Sequence, residues 1–134
     1  NAQVVSQACP DLVSMIEEGS EPARIKEKIQ QYIQEGREKM GGVPEAVLLG
    51  CTHYALIESL FREELDAQTR IFSQAQIVAK SLSEYLTRHP SLKNDGISSI
   101  SCFTTADPHQ VTSVSKRFSD LPMEYVRVTI DKND

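Results

Sequence analysis

The chain alternates between two hydrophobic rhythms, one of helical period and one of short apolar runs. Leu12, Val13 and Ile16 share one face of a helix expected over residues 11–18, which Pro10 can start and Gly19 can close. Ala23, Ile25, Ile29, Tyr32 and Ile33 form a longer stripe over 21–39, opposite a face rich in Lys, Glu and Arg. Leu56, Leu60, Phe61 and Leu65 predict a helix over 55–65. Ile77, Val78, Leu82 and Leu86 predict another over 74–88, broken by His89-Pro90. A last helix is expected over 108–118, with Asp107 as its cap.

Between these stripes lie strand candidates: 4–6, 47–49, 70–72, 99–104 and 125–130, the last at a sheet edge. Gly41-Gly42-Val43-Pro44 turns the long helix into the second of them, and 91–96 is a polar loop. Strands alternating with helices at this spacing mean α/β with a largely parallel sheet flanked by helices. No internal repeat or low-complexity linker is present.

Composition narrows the function classes. The 134 residues are 40% hydrophobic and 25% charged, as in a globular protein. A net charge of −5 and the lack of a basic cluster argue against nucleic acid as a partner. No apolar run is long enough for a membrane helix, and no signal-peptide pattern opens the chain. Three well-separated cysteines fit free thiols in a reducing cytoplasm. Asn1-Ala2 fits a cloning remnant and is set aside.

The chemistry concentrates at Val47-Leu48-Leu49-Gly50-Cys51-Thr52-His53-Tyr54. Three apolar residues in a row predict a buried parallel strand that stops at a glycine and leads into a helical run, so a thiol, a hydroxyl and an imidazole fall at the carboxyl end of a sheet. Open α/β folds bind ligands there, and a following helix start favours a thiolate or a carboxylate. Free cysteines also serve as small core residues, and the pattern alone leaves both readings of Cys51 open. Glu17 and Glu18 read on pattern as a solvated helix end. Cys9 and Cys102 read as structural, the latter in the core. His89 and His109 read as solvent-facing. Cys51 and His53 lack the further ligand spacings of a zinc site, and no nucleotide or pyridoxal phosphate motif occurs.

Leu-Leu-Gly-Cys-Thr-His-Tyr closely resembles the second cysteine motif of glutamate racemases, in the aspartate/glutamate racemase superfamily. Ala8-Cys9-Pro10 with Ile16-Glu17-Glu18-Gly19, and the later Phe103-Thr104-Thr105-Ala106-Asp107-Pro108, resemble two further family segments in the family's order. The resemblance covers nearly the whole chain, residues 3–134. It implies the C-terminal part of a two-domain racemase fold, with 3–90 the later part of one domain and 91–134 closing strands and a helix of the other.

The activity it implies is cofactor-independent interconversion of L- and D-glutamate by two thiols, for bacterial peptidoglycan synthesis. Cys51 would be one thiol, His53 would assist it, Glu17 would orient or protonate groups on that side, and Thr52 would bind substrate. Glu18 stays open as an alternative to Glu17. His53 points to glutamate rather than aspartate, since aspartate racemases tend to carry a glutamate there.

Several positions depart from the family pattern. Ala55 stands for a common proline, Asp11 for an apolar residue, and Ser73-Gln74 where an aspartate is usual. The family's first catalytic cysteine and an early Asp-Ser pair are absent, so the chain alone is expected to be inactive and, with faces left open, to form a homo-oligomer. Alternatives are a superfamily racemase of another amino acid or a hydantoin, and a non-catalytic α/β binding module.

Overall fold

A computed structural model describes residues 2–92 and 99–130. The chain divides into two compact units, residues 1–85 and 86–134, and the division falls inside a helix.

The first unit opens with α1 (Pro10–Glu18) and α2 (Pro22–Met40). Both begin on a proline, whose missing N–H costs nothing in a first turn. Both end on a glycine in the left-handed region, Gly19 at φ 73° and Gly41 at φ 77°, where a side chain would be strained. Leu12 and Ile16 of α1 meet Ile25, Ile29 and Tyr32 of α2 in the core, Leu12 and Ile29 with no exposure at all. At the rim Lys28 (3.2 Å) and the Tyr32 hydroxyl (3.1 Å) hold the Asp11 carboxyl below its usual pKa.

β1 (Ala46–Leu49) pairs in parallel with β2 (Arg70–Ser73), Leu48 opposite Phe72 and Leu49 opposite Ser73. The crossover is a 3₁₀ segment (Thr52–Ile57) followed by α3 (Glu58–Glu64). This corrects the single helix expected over 55–65. Cys51, Tyr54, Ile57 and Leu60 recur every third residue, a spacing that a 3₁₀ turn stacks on one side. Ile57 is accordingly buried, whereas Leu56 is exposed. The Thr69 hydroxyl donates to the Pro44 carbonyl (2.9 Å) and Arg62 to the Thr69 carbonyl (2.8 Å), which pins the loop before β2.

Four expectations for this unit need correction. Residues 4–6 form no strand, because no neighbouring strand is present among the described residues to complete a ladder, and Val4 is exposed. Ala23 is exposed, at the edge of the α2 stripe. β1 buries one face only: Leu49 lies in the core while Leu48 is 64% exposed. The amphipathic helix is present as α4 (Gln74–Arg88), yet it buries none of its residues, and Ile77, Val78 and Leu82 are all exposed.

The second unit holds a short 3₁₀ turn (Pro90–Leu92), β3 (Cys102–Thr104), α5 (Pro108–Ser115) and β4 (Tyr125–Arg127). β3 and β4 pair in parallel, Cys102 opposite Tyr125. Both strands and α5 are shorter than expected. The Asp107 side chain caps α5 by accepting from the N–H groups of His109 (2.7 Å) and Gln110 (3.4 Å). Cys102 is half-buried rather than core, since β3 packs in a two-strand sheet. His89 and His109 are exposed. The polar loop expected over 91–96 lies mostly outside the described residues. The fold is mixed α/β, with its parallel strands in two separate pairs among the described residues.

Candidate active site

Gly50 ends β1, and Cys51 follows in extended backbone (φ −120°, ψ 137°) before the 3₁₀ turn begins at Thr52. The tight turn presents Cys51, Thr52 and His53 at the carboxyl end of the strand. There, Cys51 and His53 are half-buried and Thr52 is exposed. The turn also packs against α1.

That packing assembles a line of three side chains. His53 Nδ1 lies 3.9 Å from Cys51 Sγ, and His53 Nε2 lies 2.9 Å from Glu17 Oε1. The His53 side chain at the centre of the line is 22% exposed and Glu17 at one end 46%, so the imidazole is sheltered while the carboxylate is wet. With Nε2–H donating to the carboxylate, Nδ1 is an acceptor that faces the thiol. The thiol contact is loose, as contacts to reacting groups often are before substrate binds. Of the two adjacent carboxylates, Glu17 is the one that reaches the imidazole, while Glu18 is exposed.

Cys9 stands at the start of α1, where its Sγ donates to the Gln7 carbonyl (3.7 Å). Burial pushes its thiol pKa up, offset in part by the Tyr54 hydroxyl. Tyr54 is a residue that sequence reasoning left without a role. Its hydroxyl donates to the Cys9 carbonyl (3.1 Å), and its ring packs on Phe61 with centroids 5.8 Å apart. Burial, with Cys9 and Cys51 close by, pushes the phenol pKa up to about 12. Its third-residue spacing from Cys51 and Ile57 marks it as inward-facing but carries no sign of the bond to Cys9. No group of three or more His, Cys, Asp or Glu among the described residues could hold a metal ion. No helix among them is long and apolar enough to cross a membrane.

Comparison with known proteins decides the relationship. The glutamate racemase of Phenylobacterium zucineum is 36% identical over 123 residues, which make up 91% of this chain and 43% of the relative. That of Roseobacter denitrificans is also 36% identical, over 91% of this chain and 44% of its own length. This chain is a partial homologue of the glutamate racemases. It spans less than half the length of these curated relatives. Glutamate racemase isoform RacE1 from Bacillus anthracis superposes with a TM-score of 0.80 at 26% identity, over 96% of this chain and 47% of that one. The Thermus thermophilus glutamate racemase, solved with β-chloro-D-alanine, shares the fold at a TM-score of 0.76 and 24% identity, over 92% and 47% of the two chains. No protein-family model matches the chain.

Proposed function

We propose that this chain carries one acid/base half of a cofactor-independent glutamate racemase. The observation that supports this best is the line from Glu17 through His53 to Cys51 at the end of β1. Inverting an α-carbon requires a base on one face and an acid on the other. A thiolate and a thiol suit the pair, because each is left in the other's protonation state after turnover. The Cys51 thiolate takes the α-proton from one enantiomer, and the electron pair stays on the carbon next to the substrate carboxylate. A second thiol then delivers a proton to the opposite face.

In this reading His53 takes the Cys51 proton through Nδ1 and readies the thiolate, while Glu17 fixes the tautomer and favours the imidazolium. The Thr52 hydroxyl, exposed beside Cys51, binds a substrate carboxylate. The opposing thiol would come from outside these 134 residues. Cys9 is a poor candidate, because each thiol must serve as the base in one direction and burial pushes the Cys9 pKa up. The chain alone is therefore expected to be inactive, and the full-length protein to work in the cytoplasm, making D-glutamate for peptidoglycan. The exposed apolar positions of β1, β2 and α4 support self-association of the isolated chain.

The test is a chiral assay of the full-length protein with L-glutamate and, in parallel, L-aspartate. Accumulation of D-glutamate alone supports the reading. Conversion of aspartate in preference, or of neither, overturns it.

A further inference from the structure

His53 and Tyr54 are neighbours, yet their side chains reach opposite ends of α1. His53 meets Glu17 at the helix's last turn (2.9 Å), and the Tyr54 hydroxyl meets the Cys9 carbonyl just before its first (3.1 Å). The two anchors lie eight positions apart, on the order of 12 Å at 1.5 Å per residue. Two anchors so far apart fix the tilt and register of α1 on the 3₁₀ turn. The core contacts of Leu12 and Ile16 hold the inner face of the helix, and the two anchors set its ends.

We infer that Tyr54 is a positioning residue for the proton relay, acting through α1 on the Glu17–His53 contact. The inference rests on the racemase reading above. Three features of the tyrosine fit the role. Its ring is held by Phe61 and the core, so the hydroxyl has a fixed location. Its phenol keeps its proton through the physiological range, so it is a lasting donor and not a competing base. Its bond goes to a backbone carbonyl, which moves with the helix rather than with one side chain. Without that bond Glu17 is free to slide from Nε2, and the tautomer that faces Cys51 is no longer enforced. Small misplacements of this kind cost on the order of ten- to a hundredfold in rate.

The experiment is a double-mutant cycle in the full-length protein, with Tyr54→Phe, Glu17→Gln and the pair, each measured for kcat and KM with L- and D-glutamate. Phenylalanine keeps the ring packing, and circular dichroism checks that each variant folds. Tyr54→Phe is expected to lower kcat by about tenfold with little change in KM. In the Glu17→Gln background the same change should cost less than about twofold, because its target contact is already gone. Equal losses in both backgrounds, or no loss from Tyr54→Phe in an active protein, overturn the inference and leave the racemase reading standing. An inactive wild type overturns both.

Discussion

The His53 imidazole lies 2.9 Å from Glu17, a residue 36 positions earlier in the chain, while its other nitrogen faces the Cys51 thiol. A helix end and a strand end are thus joined through one ring. The contact is the product of two local devices. Gly19 stops α1 directly after Glu17-Glu18, and Gly50 stops β1 directly before Cys51. Core packing of Leu12 and Ile16 then brings the two ends together.

Loss of the imidazole should leave a distinctive kinetic trace. Enantiomers of glutamate are equal in free energy in water, so kcat/KM must fall equally in both directions for any variant. For His53→Asn in the full-length protein we expect a fall of roughly ten- to a hundredfold. The asymmetry should appear in the α-deuterium isotope effect, which is expected to rise only for the enantiomer whose proton Cys51 is proposed to remove. An isotope effect unchanged for both enantiomers would make His53 a structural residue.

Much of the first unit was legible in the residues. Pro10, Gly19, Gly41 and the Ile25–Ile29–Tyr32 spacing fix α1 and α2 by local rules, and the structure follows them closely. Cys51, Thr52 and His53 were legible as a group because a strand stop and a helical run bracket them. Other features depend on partners that no window of sequence contains. Residues 4–6 have strand composition but no ladder neighbour among the described residues. Leu48, Ile77, Val78 and Leu82 have core composition but are exposed. The role of Tyr54 was hidden for a related reason, since a hydroxyl bonded to a carbonyl 45 residues away leaves no periodic mark.

Alkaline stability should report on Tyr54. Its folded pKa of about 12 exceeds the ordinary value of 10.0, so the folded state holds the proton more tightly. By linkage this contribution is whole below pH 10 and is lost as pH rises toward 12. Between those values the wild-type melting temperature should fall more steeply than that of Tyr54→Phe. Parallel curves would mean that the phenol is not shielded in solution.

The core predicts a simple hierarchy of damage. Leu12→Ala and Ile29→Ala remove side chains with no exposure and should each cost about 2–5 kcal/mol. Val78→Ala, on the exposed face of α4, should cost under ~0.5 kcal/mol in a monomer. Urea unfolding of the isolated chain measures both. A large loss at Val78 would show that α4 is covered in solution.

Self-association follows from the exposed apolar positions of β1, β2 and α4. Leu48, Phe72, Ile77, Val78 and Leu82 are each more than two-fifths exposed. We expect the isolated chain to sediment as a dimer or larger at micromolar concentration, and Phe72→Glu with Leu82→Glu to shift it toward 15.0 kDa. A wild-type chain that stays at 15.0 kDa under those conditions contradicts the expectation.

The central claim is that the Cys51 thiol exchanges the α-proton of glutamate. Its most direct test compares full-length wild type with Cys51→Ala, following the circular dichroism of L-glutamate and of D-glutamate in separate reactions. The account predicts decay of both signals with the wild type, and a rate below about a hundredth of that with Cys51→Ala, since positioned acid/base groups supply 10²–10⁴-fold. A folded Cys51→Ala protein that racemises either enantiomer at more than that fraction would contradict it.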